Sequence, residues 1–222
     1  MKTALVIGAS RGIGLELVRQ LRAQGVRVHA TARDGVGLRE LDLLGAKALE
    51  LDVAKPQSIE AFLAQLKDER FDVILHVAGV FGPRTDAQKA LSLGEFDEVM
   101  HTNVGSLVQL LPPLMNCLNR LGGKWVSISS VMASISLTTD SGGWAYKISK
   151  AALNMAVHAA AMTYKDLTLV AMSPGWVRTD MGSSAAPLSV AQSVSNMLKT
   201  IDGLGLEHSG QFINHDAMPL TW

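Results

Sequence analysis

Short, largely apolar runs alternate along this chain with segments whose apolar positions recur at helical spacing. Unbroken apolar runs suit strands buried on both faces of a parallel sheet. They predict strands at Ala4–Ile7, Val26–Thr31, Ala48–Leu51, Asp72–Val77, Lys124–Ile128, Leu167–Met172 and Gly210–Asn214. Helical spacing predicts helices at Leu15–Leu21, at Leu38–Leu44 before Gly45, after Pro56 (Ile59, Phe62, Leu63, Leu66), at Glu95–Leu111, from Ser149, and at Pro187–Ile201. Pro112-Pro113 should kink or restart the long helix, because proline has no N–H to donate and its ring crowds the preceding turn. Regular strand–helix alternation implies an α/β protein built on a doubly wound parallel sheet of about seven strands with helices on both faces. No shift in composition divides the 222 residues, so a single domain is expected.

Composition narrows the function classes. Twenty basic residues balance twenty acidic ones, which argues against nucleic acid or an anionic membrane as partner. Cys117 is the only cysteine, so neither an internal disulfide nor a thiolate metal cluster can form, as suits a reducing compartment. The apolar start is too brief for a signal peptide, and no apolar run reaches spanning length. A soluble, cytoplasmic protein is expected.

The first strand runs into Gly8-Ala9-Ser10-Arg11-Gly12-Ile13-Gly14 and then a helix. In that setting glycines let backbone approach a pyrophosphate closely, and the helix N-terminus offers free N–H groups. The spacing alone also fits a tight turn with no ligand. After the second strand comes Arg33, where an acidic residue would hold a ribose 2′-hydroxyl and a basic one a 2′-phosphate. Arg33 and Arg11 together favour NADP(H), with NAD(H) as the alternative; Asp34 is expected to start the next turn or helix. Asp52 suits either an adenine amino group or a turn, and Ala78-Gly79 would let a cofactor pass close to the sheet. Tyr146 and Lys150 lie one helical turn apart. An ammonium beside a phenol should draw the Tyr146 pKa down from ~10 toward neutrality, making it an acid or base near pH 7; a solvated surface pair would show the same spacing. His76, at a strand end, is expected to be bonded to backbone rather than to act as ligand or base. The residues between Thr179 and Pro187 are short and small, which suggests an open, lid-poor site.

Together Gly8-x-x-x-Gly12-Ile13-Gly14, Asp52-Val53, Ala78-Gly79, Asn103, Ser129-Ser130, Tyr146-x-x-x-Lys150 and Pro174-Gly175-Trp176-Val177-Arg178-Thr179 occur in the order of the short-chain dehydrogenase/reductase family. The chain resembles that family over nearly its whole length, within it most closely the group of C-factor and sniffer-type carbonyl reductases. The resemblance implies a Rossmann fold and hydride transfer between a nicotinamide and a carbonyl or alcohol substrate. Tyr146 would then be the acid/base, Ser130 the carbonyl-oxygen donor in preference to Ser129, Lys150 the ribose ligand, and Asn103 the holder of a relay water. Cofactor contacts would come from Gly8, Ser10, Arg11, Gly12, Ile13, Gly14, Arg33, Asp52, Val53, Ala78, Gly79, Tyr146, Lys150, Pro174, Gly175, Val177 and Thr179. Pairing through the helices around Glu95–Leu111 and Ser149–Thr163 implies a homodimer. A dinucleotide-binding signalling protein with little turnover is the alternative. Two departures, Ile7 for the usual Thr and His76-Val77 for the usual Asn-Asn, bear on stability more than on activity.

Overall fold

The computed structural model describes residues 1–222. Seven parallel strands form one sheet in the order β3-β2-β1-β4-β5-β6-β7: β1 Thr3–Ile7, β2 Arg27–Ala32, β3 Lys47–Glu50, β4 Val73–His76, β5 Lys124–Ile128, β6 Thr168–Ser173 and β7 Phe212–Asn214. Side chains alternate across a strand, and both faces of this sheet are covered. Leu5 and Ile7 join a core with Phe62, Leu110 and Leu153. These come from α3 (Pro56–Ala64), α5 (Ser106–Leu114) and α6 (Trp144–Thr163). Ala4 and Val6 face the other way, onto Leu17, Leu41 and Met197, from α1 (Gly12–Ala23), α2 (Gly35–Leu43) and α7 (Val190–Gly203). Two buried faces explain why the strands read as continuous apolar runs. Each fully buried Leu or Phe contributes roughly 1.5–3 kcal/mol. No helix is long and apolar enough to cross a membrane.

The chain runs outward from β1 to β3, then returns to place β4 on the other side of β1. Ligands of such sheets bind where the direction reverses, beyond the carboxyl ends of the strands. Gly8 follows β1 there, and Ala78-Gly79 follows β4.

The expected long helix is interrupted. α4 (Leu93–Met100) opens on a capping box between Ser92 and Glu95, and a π-helical turn, His101–Gly105, separates it from α5. The Ser106 N–H reaches back to the His101 carbonyl, and this one-residue bulge carries Asn103. Pro112 and Pro113 lie in the last turn of α5. Both are exposed, as are Val108 and Gln109, whose carbonyls lose their helical donors; water can take the place of the missing N–H groups.

The two departures at the strand ends are accommodated. Gly8 N–H donates to Thr31 Oγ1 at 2.9 Å, a strand-to-strand tie from β2. His76 is fully buried, and its Nε2 meets Ser106 Oγ at 3.0 Å rather than a backbone group. Ser106 donates its own proton to the Thr102 carbonyl, so the histidine must be the donor in their bond. Its Nδ1 then has no partner, and the ring stacks on Trp125.

Candidate active site

The glycine loop is shaped by close approach. Gly8 has φ +88°, and a Cβ there would meet Ala78 Cα at 2.7 Å, so the turns after β1 and β4 touch across the switch point. A Cβ on Gly14 would overlap the Gly8 carbonyl oxygen at 2.1 Å, which seats α1 directly on the loop. The first turn of α1 has no side-chain cap and no acidic residue. The N–H groups of Gly12, Ile13 and Gly14 therefore present uncapped donors and a positive dipole end to an incoming anion. A cavity of about 470 Å³ opens above them. Gly8, Ser10, Arg11 and Gly12 to Gly14 line it at one end, with Arg33 and Val53 on the β2–β3 side and Ala78 and Gly79 beside β4. These backbone donors and close-approach glycines fit a dinucleotide phosphate.

Asp52 is not on the cavity wall. Its carboxylate accepts from the Ala54 N–H and pairs with Lys55 at 3.2 Å, so the turn reading of Asp52 describes it. Asp34 caps α2 by accepting from Val36 and Gly37, which leaves no free carboxylate beside Arg33 at the end of β2. Arg11 pairs with Asp180 at 3.3 Å, both side chains well exposed. Such a pair is weak enough to yield to a phosphate.

At the other end of the cavity stand Ser130, Tyr146 and Lys150. α6 begins from Gly143 in the left-handed region at φ +65°, so Tyr146 lies in its first turn and Lys150 one turn on. Both side chains are buried, with the Lys150 Nζ 5.7 Å from the Tyr146 ring centre. Lys150 donates to the Ile128 carbonyl at 2.7 Å, at the end of β5. Ser130 follows that strand; its hydroxyl accepts the Met132 N–H and lies close enough to Tyr146 to lower the pKa of the phenol. Ser129 turns away and donates to Asn154 Oδ1 at 2.6 Å. The serine brought to the phenol is thus Ser130.

The expected depression of the Tyr146 pKa is not found. Burial pushes the phenol up to about 12, and the hydrogen bond with Ser130 opposes this only in part. Burial also lowers Lys150 to about 8. The physical reason is shared: taking either charge out of water costs more than this pair recovers at its spacing. Without a bound cofactor the phenol is therefore neutral at pH 7, and Lys150 is mostly charged.

Asn103 lies behind the cavity wall, fully buried. Its side chain accepts from the Val80 N–H at 2.8 Å and donates to the Val80 carbonyl and to Ser149 Oγ, both at 2.9 Å. A Cβ on Gly79 would sit 3.2 Å from Asn103 Oδ1 and 3.4 Å from Lys150 Nζ, so the glycine is where these two groups converge. The β6–α7 loop completes the wall with Pro174, Gly175, Val177 and Thr179. Its Met181, Gly182 and Ser183 also line the cavity, and the Met181 carbonyl accepts from Arg84 at 2.9 Å. Phe81 and Arg84 are wall residues that the sequence reading missed; they lie in the aperiodic segment after β4, where spacing gives no signal.

A family profile described as short chain dehydrogenase matches residues 2–188. The chain belongs to that family and is an oxidoreductase of its class. It is 43% identical over 97 residues to C-signal of Myxococcus xanthus, an alignment covering 43% of this chain and 58% of that protein. Among solved structures it is similar to the carbonyl reductase Sniffer of D. melanogaster, with TM-score 0.92, 30% identity and full coverage of both chains. It is also similar to the NADPH-bound carbonyl reductase from chicken fatty liver, with TM-score 0.90, 31% identity and coverage of 100% and 99%.

Proposed function

We propose that this enzyme is an NADP(H)-dependent carbonyl reductase with Tyr146 as its general acid. The observation that carries the reading is a buried, neutral phenol between Ser130 and Lys150 on the wall of a glycine-lined cavity. When bound, the nicotinamide supplies the hydride. Ser130 and Tyr146 donate hydrogen bonds to the substrate oxygen and hold it as negative charge develops there. Tyr146 then gives up its proton, completing the alcohol, and the Lys150 ammonium steadies the phenolate left behind. Asn103 fixes Val80 and Ser149, and through them the floor beneath Lys150, where a relay water would sit. The phenol is protonated at neutral pH, the form in which it can serve as the acid. NADPH consumption with a panel of aldehydes, ketones and quinones tests the reading, and binding without turnover of any of them would overturn it. The identity to C-signal favours a second reading, a dinucleotide-binding signalling protein with little turnover, and the same panel separates the two.

Preference for NADP(H) over NAD(H) rests on Arg33 and Arg11 and on the engagement of Asp34 in capping. Arg33→Asp is expected to lower kcat/KM with NADPH by about tenfold to a hundredfold, the value of a lost charge-assisted contact, and to raise it with NADH. Equal loss with both cofactors would show Arg33 to be structural.

The enzyme is proposed to work in the cytoplasm as a homodimer. Ile148, Met155 and Met162 recur along one side of α6 and are exposed, as is Val108 on α5. An apolar stripe of that kind favours a covered face. Sedimentation should show a dimer that Met155→Glu converts to monomer; a monomeric parent protein would refute the pairing.

A further inference from the structure

One cation on the cavity wall has no role in the chemistry above. Arg84 follows Phe81 in the segment between β4 and α4, and both line the cavity. No carboxylate lies within ion-pair distance of it. Its guanidinium carbon sits 4.5 Å from the centre of the Phe81 ring. That ring is stacked on Tyr146, with centres 4.7 Å apart and planes 18° from parallel. The side chain makes one hydrogen bond, to the Met181 carbonyl, so its other N–H groups lack a protein acceptor.

The segment holding these two residues is fixed at several points. Asn103 binds both backbone polar groups of Val80. Gly82 turns at φ +72° against Val99, whose Cγ2 leaves no room for a Cβ. The Thr85 carbonyl accepts from Gly143 N–H at 2.8 Å, where α6 begins. The backbone that carries the exposed Arg84 side chain is thus fixed before any substrate arrives, which reduces the ordering penalty on binding.

We propose, resting on the carbonyl-reductase reading, that Phe81 and Arg84 select the substrate. The class they select is a carbonyl compound bearing a carboxylate. The Phe81 ring lies between the reacting phenol and the Arg84 guanidinium, so it sets the distance from the substrate oxygen to the cation. The fork of Arg84 matches a carboxylate carried about that far from the carbonyl. Asp180 is the one acidic side chain of the wall; once a cofactor phosphate takes Arg11, its carboxylate stays well exposed to water, which screens it from an anion at Arg84.

The test compares 4-carboxybenzaldehyde with its neutral methyl ester, using the full-length enzyme and saturating NADPH. The parent enzyme should prefer the acid. Arg84→Gln should lower kcat/KM for the acid about tenfold, mainly through KM, and change the ester far less. Arg84→Lys should recover part of the loss. Equal losses for acid and ester, no preference in the parent enzyme, or weakened NADPH binding in Arg84→Gln would overturn the assignment while leaving the reductase reading intact. Should the parent enzyme bind NADPH yet reduce neither compound, the panel of aldehydes, ketones and quinones decides the reductase reading. Calorimetric titration of the NADPH complex with benzoate and benzamide then decides for Arg84. Benzoate binding that Arg84→Gln abolishes supports the site, and equal or absent binding of the two overturns it.

Discussion

Exchange of Tyr146 for Phe is expected to lower carbonyl reduction roughly a thousandfold, the scale of a lost general acid, and to leave NADPH affinity nearly unchanged. Only the hydroxyl is removed. The ring, its stack on Phe81 and its place in the first turn of α6 remain, so the cavity keeps its shape. Ser130 is only half-buried on the cavity wall, where water can reach its hydroxyl, so the variant is expected to keep its fold. A thermal melt therefore accompanies the assay. The loss should fall on kcat, because the proton is needed only once charge has built up on the substrate oxygen. Ser129→Ala is the internal contrast. Ser129 serves Asn154, so its replacement should weaken the packing of α6 while the acid and its oxygen donor remain. Turnover by Tyr146→Phe at the parent rate would remove the proposed acid and, with it, the mechanism.

Strand positions were legible because both faces of the sheet are buried, which leaves continuous apolar runs in β1, β4 and β6. The glycine loop was legible because no other residue tolerates those contacts: the Gly8 and Gly14 positions exclude any Cβ. The extra residue at Asn103 was not. A π turn adds one position to a helix without disturbing the apolar pattern on either side, so a continuous helix was the natural reading. Pro112 and Pro113 fall in the last turn of α5, which gives way to a 3-10 turn at Met115, and the carbonyls they free lie on the exposed side. Ser129 and Ser130 are neighbours whose side chains point opposite ways, and only the packing of α6 shows which one meets the phenol. Phe81 and Arg84 depend on tertiary placement alone. The Tyr146 pKa failed for a related reason: sequence shows which charge is near, whereas the shift is governed by how much water burial removes.

Burial at His76 has the second large expected effect, a loss of stability in mild acid. The imidazole lies behind the catalytic wall, fully enclosed, and burial with the nearby Lys150 charge lowers its pKa from 6.5 to about 3. Above pH 6.5 neither folded nor unfolded chain protonates it, so it adds no pH dependence there. As pH falls through 6.5 the unfolded chain takes up a proton that the folded chain refuses until near pH 3, so stability declines by up to about 1.4 kcal/mol per pH unit. Between pH 6.5 and 4.5 this one residue should remove roughly 2 kcal/mol. His29 adds to the same trend, its pKa lowered chiefly by burial against the opposing pull of Glu69. The carboxylates of Glu69 and Asp72, held below their usual range, lose their contribution only at lower pH, so this window reports the histidines. His76→Gln places an amide N–H donor at about the reach of Nε2 for Ser106 Oγ and removes the titration. Urea unfolding at the two pH values should therefore show a shallower acid loss in the variant, by roughly 2 kcal/mol, with the remaining slope due to His29. Identical losses in parent and variant would mean that His76 is reached by water or is protonated in the folded chain. The sealed packing of Trp125, Ser106 and the imidazole behind Lys150 would then be the wrong picture of how this enzyme replaces the asparagine of its family.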